Sequence, residues 1–234
     1  MKRKRVLLFV LLIAIPFFSM SNNQRDEDEG FLEKDSIIRD EYTLIFINKD
    51  SAFSDVVSEN LKETFFEVYP KLVERFNKKS ASKVVFVIEP KYEGVAATSR
   101  GRVVFSPAWY KKNPHDIDVV THEVMHIVQD YGRTNGPGWL TEGIADYVRY
   151  RYGVGNETAG WKLPDVNPNQ NYTNSYRITA RFLTWLEEKK DEKIVDQLDH
   201  AMRNHNYRED IWKEITGKTV DELWKEYVAN PAIL

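Results

Sequence analysis

The 234-residue chain contains no cysteine. That excludes disulfides, thiolate metal sites, a cysteine nucleophile and a cysteine-linked lipid anchor. Any bound metal must be held by His, Asp or Glu, and there are only five histidines. No apolar run reaches the roughly 20 residues that a membrane-spanning helix needs. The longest, residues 6–18, is interrupted only by Pro16. No acid occurs before Asp26, while Lys2, Arg3, Lys4 and Arg5 crowd the N-terminus. The total of 33 basic and 36 acidic residues gives a net charge of -3, but without residues 1–21 the balance is 29 against 36, or -7. Such an acidic chain is a poor ligand for nucleic acid, where clustered positive charge supplies most of the affinity. What is present suffices for a packed core, with 42% apolar and 13% aromatic residues.

The basic N-terminus, the short apolar run and Ser19-Met20-Ser21 form the pattern of a secretory signal peptide over residues 1–21. An uncleaved anchor is the competing reading. The expectation is a secreted or periplasmic monomer with no stable membrane association once the signal is removed. Residues 22–40, with three bases against seven acids, read as a solvated acidic linker. The folded domain is then expected over 41–234.

Within that domain, strands come first. Residues 43–47 and 83–88 are predicted strands, and 95–98 with 102–105 form a predicted hairpin around Ser99-Arg100-Gly101. Between the first two strands, apolar residues from Phe53 to Phe76 follow helical spacing, and Pro70 is expected to kink or split that helix. After Pro107 the pattern becomes helical. Helices are expected at 116–130, at 139–152 with Gly153 as a stop, and from an Asn174 cap through Leu186. Others follow at 194–202 and 210–215, and Thr219-x-x-Glu222 makes a capping box for the last. Strands followed by helices imply an α+β fold, a small mixed sheet with a long helix and then a mostly helical half.

One motif carries chemistry. His122-Glu123-Val124-Met125-His126 puts two histidines at i and i+4, on one face of a helix and one turn apart. Both imidazoles can then reach one zinc ion at about 2.0–2.1 Å. Glu123 lies beside them, placed to contact a metal-bound water. In the next helix Glu142 and Asp146 also stand at i and i+4. Glu142 follows His126 at a distance that lets an antiparallel helix present a third ligand. Asp146, one turn further, can accept a hydrogen bond from a ligating histidine, which fixes its tautomer. The alternatives are a helix with two ordinary histidines and an exposed acidic helix face. The apolar neighbours Leu140, Ile144, Ala145 and Val148 argue against the latter.

His122-Glu-x-x-His126 followed by Glu142-x-x-x-Asp146 resembles the gluzincin zinc metallopeptidases. Residues 122–129, 139–149 and 176–183 together resemble, in order, the basic secretory protein family of plant and bacterial secreted peptidase-like proteins. The resemblance extends over about residues 41–230. It implies a zincin-like domain with zinc ligands His122, His126 and Glu142, a catalytic Glu123 and a buttressing Asp146. The acidic balance departs from the family's name. Gln129 and Gly132 depart from the metzincin pattern, which has Gly and His there. Three protein ligands leave a fourth position for water. Glu123 is expected as general base on a peptide or protein substrate, and Tyr176 as the donor to the developing oxyanion, with Tyr172 second. The strand at 102–105 is a candidate for pairing with an extended substrate. No Gly-x-Met-Glu-Asn motif for N-terminus recognition is present, which favours an endopeptidase. The other class to weigh is a non-catalytic secreted protein that keeps zinc for binding or stability.

Overall fold

The computed structural model describes residues 32–233, so the signal segment and the start of the linker lie outside the described residues. The sheet has five strands, β1 (Glu33–Arg39), β2 (Tyr42–Asn48), β3 (Lys83–Ile88), β4 (Ala96–Ser99) and β5 (Arg102–Phe105). Their order is β1-β2-β3-β5-β4. The two inner pairs, β2–β3 and β3–β5, are parallel, and the two outer pairs are antiparallel. β1 corrects the expected boundary of the acidic linker. Residues 33–39 pair along their length with β2, and the fold begins before Glu41. The local pattern hides this strand because it is an edge: Ile38 is exposed, and Glu33, Lys34, Asp35 and Arg39 make the strand largely charged.

Strand alternation decides which face is covered. Tyr42, Leu44, Phe46, Val84, Phe86, Ile88, Val103 and Phe105 point one way and are buried. Thr43, Ile45, Val85 and Val104, on the other face, are only partly covered. The long helix α1 (Asp55–Phe76) packs on the buried face, with Phe65 edge-on to Phe86 at 5.5 Å. Ser54 caps it through the Val57 N–H. Of the expected kink or split at Pro70, the split does not occur, and α1 runs unbroken through it. The lost N–H costs one helical bond, and the buried row Leu61, Phe65, Val68 and Leu72 spans the position on both sides.

Seven further helices follow: α2 (Pro107–Lys112), α3 (Val119–Gln129), α4 (Gly138–Tyr152), α5 (Tyr176–Lys189), α6 (Ile194–Arg203), α7 (Ile211–Thr216) and α8 (Val220–Ala229). α2 lies outside the helices expected from the sequence, and α3 starts three residues later than expected. Residues 113–116 form a turn instead, and Asp116 accepts a hydrogen bond from the Trp109 indole. Asn174 does not cap α5. It closes a capping box with Asn171 around the 3-10 turn Tyr172–Asn174. Two consecutive non-glycine residues with positive φ open α5, the cap Ser175 at 69° and the first helical residue Tyr176 at 49°. Strand β5 lies between β3 and β4, so the expected substrate-pairing role of 102–105 is sterically closed; the edge strand on this side of the sheet is β4.

α3 is held from both ends. At its start the buried Asp118 carboxylate accepts from Thr121 Oγ1 (2.7 Å), Val154 N (2.9 Å) and Gly155 N (2.6 Å). At its end Arg203 of α6 donates to the carbonyls of Val128 (3.0 Å) and Gln129 (3.2 Å), and also to Phe76 (2.8 Å) at the end of α1. One guanidinium thus satisfies the terminal carbonyls of two helices. Asp199 pairs with Arg203 and accepts from the Tyr131 hydroxyl.

Candidate metal and catalytic site

α3 is buried along most of its surface, and His122 and His126 leave it on the side facing α4. The contacts between the helices run in opposite order. Gln129 Nε2 donates to the Thr141 carbonyl (2.9 Å), His126 faces Glu142 and His122 faces Asp146. The two helices are therefore antiparallel, which brings Glu142 to the histidines. Gly143 permits the next layer. A Cβ there would lie 2.2 Å from Thr179 Cγ2, so only glycine lets α5 pack this closely beside Glu142.

Three donor atoms converge. His122 Nε2 and His126 Nε2 are 3.2 Å apart, and Glu142 Oε2 is 3.3 Å from the first and 3.5 Å from the second. Ligands at about 2.05 Å from a tetrahedral zinc ion lie about 3.3–3.4 Å from one another. The triangle fits that ion without rearrangement. The outer hydrogen bonds fix the direction of the lone pairs. His122 Nδ1 is 2.7 Å from Asp146 Oδ1, and His126 Nδ1 is 2.7 Å from Gln129 Oε1. Asp146 is an acceptor. Gln129 presents its oxygen because its nitrogen donates to Thr141. Each Nδ1 therefore carries the proton, and both Nε2 lone pairs point at Glu142 Oε2. Three acceptors facing one point repel unless a cation, a proton or a metal ion, lies among them.

The electrostatics agree. Burial works against charge on His122, but hydrogen bonds that its ring donates to Asp146 and Glu142 when protonated outweigh it and push its pKa up to about 10. Burial also works against charge on Glu142, here by pushing the pKa up, yet the two histidines hold it well below the usual carboxylate range. The site is a well of negative potential built for a positive guest.

Glu123 contributes no atom to the triangle. Its carboxylate is buried beside the histidines, with Oε2 2.6 Å from Thr98 Oγ1 of β4. Tyr176 stands at the rim, half-exposed, its ring stacked on that of His122 at 6.1 Å and 19°. The Glu142 charge beside it raises its phenol pKa. Tyr172 is elsewhere. Its hydroxyl donates to Asp221, and its ring packs against Trp139 and Trp224. Tyr147 is buried and donates to Glu187. All the site residues named from the sequence, apart from Tyr172, line one open cleft of about 1270 Å³.

The residues that sequence reasoning missed are Gln129, Thr98 and a wall of the cleft. Gln129 stands three positions after His126, on the same helix face, so a local signal existed. Thr98 is brought in by β4 from 25 residues away, and nothing local marks it. In the wall, Asp116 joins Trp109 (Nε1 to Oδ2, 3.0 Å) to Arg149, whose guanidinium lies 4.5 Å over the Trp161 ring.

An α+β domain with a His–His–Glu donor triangle and a separate buried carboxylate defines the class: a protein with a metal-capable, hydrolase-like cleft. Its family is more particular. The family described as peptidase of plants and bacteria matches residues 42–227, and the chain belongs to it. Among curated proteins none matches. Of solved structures, the M1 zinc metallopeptidase from Deinococcus radiodurans is similar at 10% identity and a TM-score of 0.44, covering 86% of this chain and 52% of that one. A two-domain M1 zinc metallopeptidase mutant bound to L-tryptophan is similar at 12% identity and 0.43, covering 86% and 52%. The chain spans about half the length of these structures, and likeness this distant carries no weight for the site.

Proposed function

We propose that this member of a peptidase family is a zinc-dependent endopeptidase that works outside the cytoplasm. The observation that carries the reading is the triangle of His122, His126 and Glu142 with Glu123 beside it and outside it. A site that held zinc only for stability has no need of that fourth, buried carboxylate. Zinc, when bound, lowers the pKa of a water toward about 7 and polarises the carbonyl under attack. The chain's own residues do the rest. Asp146 and Gln129 hold the imidazoles in the ligating tautomer. Glu123 takes the proton of the attacking water on its free oxygen and returns it to the leaving amine. Tyr176 donates its phenolic proton to the oxygen on which charge develops. The edge strand β4 lines the cleft with Ala96, Ala97 and Thr98, and its backbone can pair with an extended peptide. That fits internal cleavage, as does the absence of an N-terminus-recognition motif. The basic and apolar N-terminus supports export, and a peptide or protein remains the only partner proposed.

The test is a Glu123→Gln variant against wild type on a denatured protein substrate with zinc. The variant is expected to bind one zinc per chain and to lose about 100- to 10,000-fold in activity. If both proteins bind zinc and both are inactive, the non-catalytic reading replaces this one.

A further inference from the structure

We propose that Thr98 is a positioning residue for Glu123, so that the strand lining the cleft aims the base. This rests on the reading of Glu123 given above. Two contacts carry it. Thr98 Oγ1 lies 2.6 Å from Glu123 Oε2 and 3.0 Å from the carbonyl oxygen of the same residue. A threonine hydroxyl has one proton, which serves one acceptor at a time. The shorter contact is to the carboxylate, and a hydrogen bond to an ionised oxygen is the stronger. The Glu123 carbonyl already accepts within α3, so the helix does not depend on Thr98 there.

The consequence is directional. With Oε2 occupied by Thr98, Oε1 is left as the oxygen that meets a water near the triangle. A glutamate side chain has three rotatable bonds and strays from one pose without a second anchor. Thr98 supplies that anchor from β4, the outermost strand on this side of the sheet. A substrate that pairs with β4 therefore docks on the element that holds the base.

The plain alternative is that Thr98 only ties β4 to α3. The two roles separate kinetically. Loss of a tie loosens the substrate strand and raises KM, whereas loss of aim lowers kcat with KM intact. The experiment uses the full chain loaded with zinc and compares wild type, Thr98→Val and Thr98→Ser on one fluorogenic peptide. Zinc content and melting temperature are measured on each. Valine matches the shape without the hydroxyl. It is expected to lose about 10- to 100-fold in kcat, with KM within about twofold and one zinc retained. Serine restores the hydroxyl and is expected to recover kcat to within about threefold. Unchanged kcat in Thr98→Val, a loss confined to KM, or a serine variant as slow as valine overturns the proposal. A crystal structure of zinc-loaded Thr98→Val reads the same point without turnover. A displaced Glu123 carboxylate supports the proposal and an unmoved one overturns it. An inactive wild type would instead overturn the peptidase reading alone.

Discussion

Replacing Asp146 by Asn removes one charge from the site and changes almost nothing in shape. Asp146 is 5% exposed and its Oδ1 lies 2.7 Å from His122 Nδ1, so solvent screens the pair little. A hydrogen bond to a charged acceptor contributes about 1.5–3 kcal/mol, and a neutral one about 0.5–1.5. The difference, about 1–1.5 kcal/mol, is the part of the His122 basicity that the charge supplies. At about 1.4 kcal/mol per decade it predicts a zinc Kd weakened about 5- to 10-fold. That lies at the lower edge of the range seen when hydrogen-bond partners of metal ligands are removed. The assay is competition for zinc against a chromophoric chelator at neutral pH, with melting curves of both proteins. An unchanged Kd refutes the claim that Asp146 acts on the metal through His122. A weakened Kd accompanied by a collapsed melting temperature refutes it too, because the loss would then be one of folding.

The metal-free protein should lose stability as pH rises. Its His122 pKa, near 6.5 unfolded, is pushed up to about 10 in the fold. The contribution is complete below about pH 6.5 and disappears as pH passes through 10, at no more than about 1.4 kcal/mol per pH unit. Urea midpoints measured in excess chelator across that window check this, and a flat profile contradicts it. Gly143→Ala should cost about 1–3 kcal/mol by overpacking, since the new Cβ would lie 2.2 Å from Thr179 Cγ2. Adding Thr179→Ser removes that methyl and keeps the hydroxyl that donates to the Tyr172 carbonyl. The double variant should melt higher than Gly143→Ala alone, and a simple sum of two losses would refute the contact.

Much of the architecture follows from local pattern. The alternation in β2, β3 and β5 and the helical spacing of α1 each mark their own element. Arg100 and Gly101, both with positive φ, make the two-residue turn that joins β4 to β5. Thr219 and Glu222 close the box that starts α8. The elements that escaped local reading have their reasons elsewhere. β1 is a charged edge strand that exists because β2 offers it a partner. α2 is a six-residue helix too short to show a period. The start of α5 depends on two positive-φ residues that no propensity favours.

By itself, then, the sequence determined which side chains share a helix face. His122 with His126, and Glu142 with Asp146, are pairs set by 3.6 residues per turn, and the missing cysteines leave such residues as the candidate ligands. Only the tertiary structure decided that the two faces meet antiparallel, at 3.2–3.5 Å between donors. It also decided which oxygen or amide holds each imidazole, and that Thr98 reaches Glu123 from the edge of the sheet. Periodicity acts within a segment, whereas these contacts join segments brought together by burial of a common core.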